Sequence, residues 1–253
     1  MNLLQSLYIK FNRRRFKSSF RPIGLKRGES FFISVPRKLN DFLESLSFLT
    51  ALRKVGKVFL FAPQYFADFF SILNPSIFNT IYYEKNLEVL TGEFNILKTK
   101  LNDMKFNYLI ELNQPANLAL PYLVPAEKRI SFYDLKNYPY YNILARGEIE
   151  TLSSFFSLEN EDPRLVFKFS KTELKNLKKA LSLKSPALFI NGKDKIEDNV
   201  WSGTKIFFEK EKQKLSDTFK ILYLCDAYYG EKDEFYVFAQ IFEKQIINNE
   251  PGN

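Results

Sequence analysis

Asp41 stands where a short strand turns into a helix, a place from which a carboxylate could do chemistry. It follows a short apolar, β-rich run, Phe31-Phe32-Ile33-Ser34-Val35, that ends at Pro36, and it opens a leucine-rich helical stretch. A carboxylate at such a strand-to-helix turn stands at the carboxyl edge of a parallel sheet, where open α/β folds bind ligands. Held there, it can take a proton from a hydroxyl as a general base. The competing reading makes Asp41 a first-turn acid that complements the helix dipole, with Asn40 as the N-cap. Both stay open on the residues alone. Asp194, Glu197 and Asp198 form an acidic cluster that reads as a solvated loop, not a metal site, and Lys193 and Lys195 share that polar stretch near Trp201. Asp226 belongs to Cys225-Asp226-Ala227-Tyr228-Tyr229-Gly230, which follows an expected strand at Phe219–Cys225.

Other chemistries are excluded by composition. The 253 residues contain no histidine, which removes Ser-His-Asp and Cys-His machinery and any His-bearing zinc site. The single cysteine, Cys225, allows neither an internal disulfide nor a CxxC pair and suits a reducing cytosol. The 9 glycines never gather into a GxGxxG or P-loop cluster, so a nicotinamide or P-loop nucleotide enzyme is not indicated. No cofactor and no metal are expected.

Hydrophobic residues at 45% and charged residues at 26% describe a chain that buries a core, in one large domain or two small ones. The net charge of +8 is carried by residues 1–28, which hold Lys10, Arg13, Arg14, Arg15, Lys17, Arg21, Lys26 and Arg27 and no acid. Beyond that arm the charges balance, which argues against a broad nucleic-acid-binding face. Within the arm Leu3, Leu4, Leu7, Tyr8 and Phe11 fall on one helical stripe ahead of the arginines. This pattern fits a basic amphipathic helix lying on an anionic membrane, or a helix packed on the domain with solvated charges. No signal peptide or membrane span is expected; the best apolar window, Val58–Leu73, is broken by Pro63, Gln64 and Asp68.

The elements needed to position Asp41 recur in order. Residues 31–35 and 57–61 read as strands, with a helix between them on Leu39, Phe42, Leu43, Leu46, Leu49 and Leu52 that ends at Gly56. Gln64–Leu73 reads as a second helix, and strands are expected at 81–83, 107–112 and 128–132. This alternation signals βαβ units and a parallel sheet. Glu159–Pro163 is the expected boundary. It divides a basic arm (1–28) and a Rossmann-like domain (29–163) from a short α/β domain (164–253). The latter begins with a capping box at Ser170–Glu173, continues with a strand at 187–190, and ends in a helix over 234–248.

Taken together, these segments resemble the heptosyltransferases of glycosyltransferase family 9. Asn40-Asp41 stands where that family has Gly-Asp, and Ala51-Leu52-Arg53-Lys54 matches its helix end. Phe106–Leu112 resembles its "YDLVIDL" strand and Ala126–Phe132 its "A-K-R-I-G-F" strand. The resemblance covers roughly residues 30–190. It implies a glycosyltransferase B fold of two Rossmann-like domains, here with a truncated second domain, and a metal-free site for a nucleotide-sugar. It also implies that Asp41 is the catalytic base, that Asn40 contacts substrate, and that Lys193, Lys195 and Asp226 serve the donor. The family's Asp-x-Gly-x-x-His-like donor stretch is represented here only by the degraded Cys225–Gly230, which carries no histidine. The implied function is transfer of a heptose-like sugar from a nucleotide-diphosphate sugar to a lipid-linked saccharide, such as a lipopolysaccharide core. The protein would work in the cytoplasm, peripherally on the inner face of the membrane, held to its anionic surface by residues 1–28. The alternative is an inactive relative serving as a binding or scaffold module in envelope-glycan assembly.

Overall fold

A computed structural model describes residues 3–16, 24–84, 87–192, 201–208 and 213–247. The chain divides into two compact units, one of residues 1–67 and 75–162, the other of 68–74 and 163–253.

Helix α1 (Leu3–Asn12) opens the first unit. Then come β1 (Ser30–Ser34), α2 (Leu39–Val55), β2 (Lys57–Pro63), the short α3 (Ala67–Phe70), β3 (Asn79–Tyr83) and α4 (Gly92–Leu101). Next are β4 (Tyr108–Glu111), α5 (Leu120–Leu123), β5 (Lys128–Phe132), β6 (Ile143–Ala145) and α6 (Leu152–Phe155). The six strands form one sheet in the order β3-β2-β1-β4-β5-β6. Every pairing is parallel, and Phe32 of β1 stands beside Phe59 on one side and Leu109 on the other. The order reverses between β1 and β4, which makes the carboxyl ends of those two strands the ligand-binding position of such a sheet.

Central strands of a parallel sheet are covered on both faces and read as unbroken apolar runs. Accordingly Phe31, Phe32 and Ile33 in β1 and Tyr108, Leu109 and Ile110 in β4 are all buried. Helix α2 buries Phe42, Leu46 and Leu49 and turns Glu44, Arg53 and Lys54 outward. It starts at Leu39 with Lys38 at the N-cap position, so Asn40 is inside the first turn and does not cap it. Gly56 closes α2 where β1 and β2 begin. A Cβ there would collide with the Glu29 carbonyl oxygen, which accepts from the Lys57 N–H at 2.9 Å.

The second unit contains α7 (Lys171–Ala180), β7 (Ala187–Asn191), β8 (Thr204–Phe207), α8 (Leu215–Leu224), β9 (Ala227–Gly230), α9 (Glu234–Ile241) and β10 (Gln245–Ile247). Its four parallel strands run in the order β10-β9-β7-β8. Segment 68–74 joins this unit through specific contacts. The Asp68 carboxylate accepts from the N–H and Oγ–H of Ser216, both at 2.9 Å, at the start of α8. Phe69 packs on Phe219 with ring centroids 4.9 Å apart, and the Asn74 N–H donates to Val166 O.

The fold is α/β, with Rossmann-like parallel sheets in both units and a smaller second unit. Two further local expectations are corrected. Residues 219–224, expected as a strand, belong to α8. The apolar run fits either period, and the Asp68 cap together with Asp217 in the first turn favours a helix start at 215. The strand of this region is β9, directly after Asp226. The terminal helix stops at Ile241, because Glu243 takes a left-handed φ of 53°. The β-branched Ile246 and Ile247 then pair with Tyr228 and Tyr229 as an added strand, and residue 248 lies outside the described residues. In α7 Ser170 caps the first turn as its sequence predicts, but no residue of that helix is buried.

Candidate active site

The turn that carries Asp41 leaves β1 at Ser34 and enters α2 at Leu39. Asp41 is half-buried, and no hydrogen bond or ion pair among the described residues engages its carboxylate. It lines a cavity of about 430 Å³ with Arg37, Lys38, Asn113, Gln114 and Phe132 among its walls. A second cavity, of about 530 Å³, adjoins it, sharing Asn113, Gln114, Pro115 and Phe132 and reaching Asp134 and Asn137. The first opens where the strand order reverses, at the ends of β1 and β4, and the second beside it, at the ends of β4 and β5.

Glu111, the last residue of β4, fixes the loops there. It is 1% exposed, a carboxyl inside an otherwise apolar strand. It accepts from the Asn113 N–H at 2.9 Å, the Asn113 Nδ2 at 2.7 Å and the Asn117 N–H at 3.2 Å, with the Tyr141 hydroxyl at 3.4 Å. Burial pushes its carboxyl up from the usual carboxylate range, while the donors from Asn113, Ser34 and Asn117 pull it back part of the way. Asn113 spends its remaining capacity on the other loop. Its Nδ2 also donates to Val35 O at 2.9 Å and its Oδ1 accepts from the Arg37 N–H at 2.9 Å. The Tyr65 hydroxyl donates to Arg37 O at 2.9 Å. Exposed Arg37 and Lys38 are thus presented by a tied backbone beside Asp41, giving the cavity one carboxylate and two cationic side chains. Such a wall suits binding of a polar, anionic molecule and removal of a proton from one of its hydroxyls.

The remaining sequence-derived candidates are not gathered at this wall. Asn40 is half-buried in the first turn of α2, next to Asp41 in the chain. Asp226 precedes β9, at the amino end of the second sheet. Its carboxylate accepts from Ser185 Oγ at 2.9 Å and from the Ala187 N–H at 2.8 Å, and these bonds hold it below the usual range. Asp226 is therefore engaged in fastening β7 to β9, at the end of the sheet opposite to that where α/β folds take ligands. Lys193 and Lys195, like Asp194, Glu197 and Asp198, lie outside the described residues. At the carboxyl end of β7, Asn191 Nδ2 donates to Asp233 at 2.5 Å, and Asp233 caps α9 through the Phe235 and Tyr236 N–H groups. Among the described residues no group of three or more His, Cys, Asp or Glu could hold a metal ion. Nor is any described helix long and apolar enough to cross a membrane.

Sequence reasoning missed Glu111, Asn113, Arg37 and Lys38. One signal was available for Glu111: an acid inside the apolar run Tyr108–Leu112, which a buried strand tolerates only with partners. The others depend on how two loops distant in sequence are tied together.

Two parallel Rossmann-like units with a ligand edge at the β1/β4 reversal define a fold of the glycosyltransferase B class. Comparison with solved structures gives the particular likeness. The chain superposes on the glycosyl transferase family 9 protein of Veillonella parvula DSM 2008 with a TM-score of 0.69 at 12% identity, covering 93% of this chain and 84% of that one. It superposes on ADP-heptose lipopolysaccharide heptosyltransferase II of E. coli with a TM-score of 0.64 at 12% identity, covering 87% and 84%. The E. coli heptosyltransferase WaaC, solved with ADP-2-deoxy-2-fluoro heptose, gives 0.58 at 10% identity, covering 88% and 90%. No protein-family model matches the chain, and no curated protein matches it by sequence.

Proposed function

We propose that this protein transfers a sugar, heptose-like, from a nucleotide-diphosphate sugar to a lipid-linked saccharide such as a lipopolysaccharide core, at the cytoplasmic face of a membrane. The observation that carries the reading is Asp41, a carboxylate engaged by no described partner and lining the cavity at the β1/β4 reversal. The shared fold with heptosyltransferases, one of them solved with an ADP-sugar analogue, supports the choice of donor class.

The chemistry follows from those groups. An acceptor hydroxyl at Asp41 gives its proton to the carboxylate as its oxygen attacks the anomeric carbon. The bond to the nucleoside diphosphate breaks, and the diphosphate leaves with that electron pair. Asn40 orients the acceptor. Lys193 or Lys195, together with backbone amides, balances charge on the diphosphate, as preorganised donors do where charge develops. Asp226 keeps only its fastening role. No metal or other cofactor is called for.

A second reading is favoured by two observations. Asn191 and Asp233, at the carboxyl edge of the second sheet, are bonded to each other, and the chain has no histidine. A protein that had lost donor chemistry would keep the first unit as a binding or scaffold module in envelope-glycan assembly. Titration of the full chain with ADP-sugars and UDP-sugars separates the two. Saturable donor binding supports the transferase, and its absence across the panel supports the scaffold.

A further inference from the structure

Helix α1 faces the wrong way for a helix that simply completes a core. Its stripe Leu3, Leu4, Leu7 and Phe11 falls on one side, as 3.6 residues per turn dictates. That side points to solvent: Leu3 is 75%, Leu4 70% and Phe11 77% exposed. The side turned to the domain carries Gln5 and Ile9. The helix is held there firmly. The Ile9 carbonyl accepts from the hydroxyls of Tyr122 and Tyr140, each at 3.0 Å. Phe16, one turn beyond the helix, packs edge-on against Tyr122 at 4.7 Å and lies under the Arg129 guanidinium at 5.2 Å. The apolar stripe is thus presented outward by a fixed element and continues into exposed Arg13, Arg14 and Arg15.

We propose that α1 is a membrane-docking helix whose outer stripe enters the headgroup boundary of an anionic bilayer while Arg13, Arg14 and Arg15 meet lipid phosphates. The charge pattern selects this occupant. Lipid phosphates complement an arm with eight cationic side chains and no acid. A second copy would bring two arginine clusters together, and nucleic acid offers nothing to four aliphatic and aromatic side chains in a row. The position adds a purpose. Ile9 lines a cavity of about 310 Å³ with Arg37 and Pro115, and both of those also line the Asp41 cavity. Docking through α1 therefore sets the candidate site beside the lipid surface. Delivery of a lipid-linked acceptor rests on the proposed transfer reaction; the docking itself does not.

The test uses the full chain and vesicles of phosphatidylcholine with or without phosphatidylglycerol. The parent should float with the anionic vesicles only, and less so as salt rises. Replacing Leu3, Leu4, Leu7 and Phe11 together by Ser should weaken binding at least about tenfold. Arg13, Arg14 and Arg15 replaced together by Gln should weaken it by about 10²-fold. Phe11→Trp should gain a blue-shifted emission on anionic vesicles that brominated lipid quenches. Because all these positions are exposed, circular dichroism should be unchanged. A Ser variant that binds as tightly as the parent overturns the proposal. So does binding of duplex DNA without vesicle binding, or self-association of the parent that the Ser variant loses. Loss of donor turnover with vesicle binding intact would count against the transferase reading and leave the docking standing.

Discussion

Asn113 donates its Nδ2 to the buried carboxyl of Glu111 at 2.7 Å and to Val35 O at 2.9 Å, and through the second bond the loops after β1 and β4 become one wall. Glu111 lies at the base of the candidate site, and the sign of its pH effect is fixed by burial. Its folded pKa is raised from an ordinary 4.5. From 4.5 upward the unfolded chain releases this proton first, so stability falls as pH rises through the window up to the raised value. Glu111→Gln removes that slope. Thermal melts across pH 4 to 8 should be flatter for the variant than for the parent; equal slopes would place the ionisation elsewhere.

Glu111→Ala acts differently, because it leaves the half-buried Asn113 and Asn117 donors without their acceptor. An unsatisfied buried group costs about 1–3 kcal/mol. Denaturant unfolding should show a loss of that size or more, and a cost near zero would mean that water replaces the carboxyl.

Gly56→Ala tests the join of β1 and β2. Its Cβ has no room beside the Glu29 carbonyl, so backbone must shift. A loss of about 1–3 kcal/mol is expected from overpacking, read as a lower denaturation midpoint with unchanged slope.

Asp68→Ala tests why residues 68–74 belong with the second unit. It removes the two bonds to Ser216 that begin α8. The expected cost is about 0.5–2 kcal/mol, the range for a lost helix cap. Cys225 reports on the same unit. It is fully buried, and burial pushes its thiol up to about 12. A thiol reagent at pH 8 should therefore label it only as this unit opens, and faster in Asp68→Ala than in the parent.

The first sheet was legible because its central strands are buried on both faces. Phe31–Ile33, Val58–Phe61 and Tyr108–Ile110 announce themselves as apolar runs, and the leucine spacing of α2 leaves one choice. Residues 219–224 were not legible, since Phe-Lys-Ile-Leu-Tyr-Leu suits either period and the deciding cap comes from Asp68, far back in the chain. Asn40 fits a cap, yet the helix begins two residues earlier than such a cap implies, at Leu39, without a capping side chain. The stripe of α1 was visible, but nothing in the sequence says which side faces the protein. Tyr122 and Tyr140 decide that by seizing the Ile9 carbonyl. The position of Asp41 followed from the strand–turn–helix pattern, while the Glu111–Asn113–Arg37 tie needed the topology that brings β1 beside β4.

The claim that Asp41 is the catalytic base is tested most directly by comparing the parent with Asp41→Asn in release of nucleoside diphosphate from ADP- and UDP-sugars, with a detergent-solubilised lipid-linked saccharide as acceptor. Asparagine keeps the shape and removes the base. The variant should fall by about 10²–10⁴-fold in turnover, the usual worth of a general base. Donor binding should hold, and unfolding should shift by no more than about 0.3–1 kcal/mol, the usual worth of a first-turn acid. A parent that turns over and an Asp41→Asn variant that matches it would make Asp41 a helix-start residue and contradict the account.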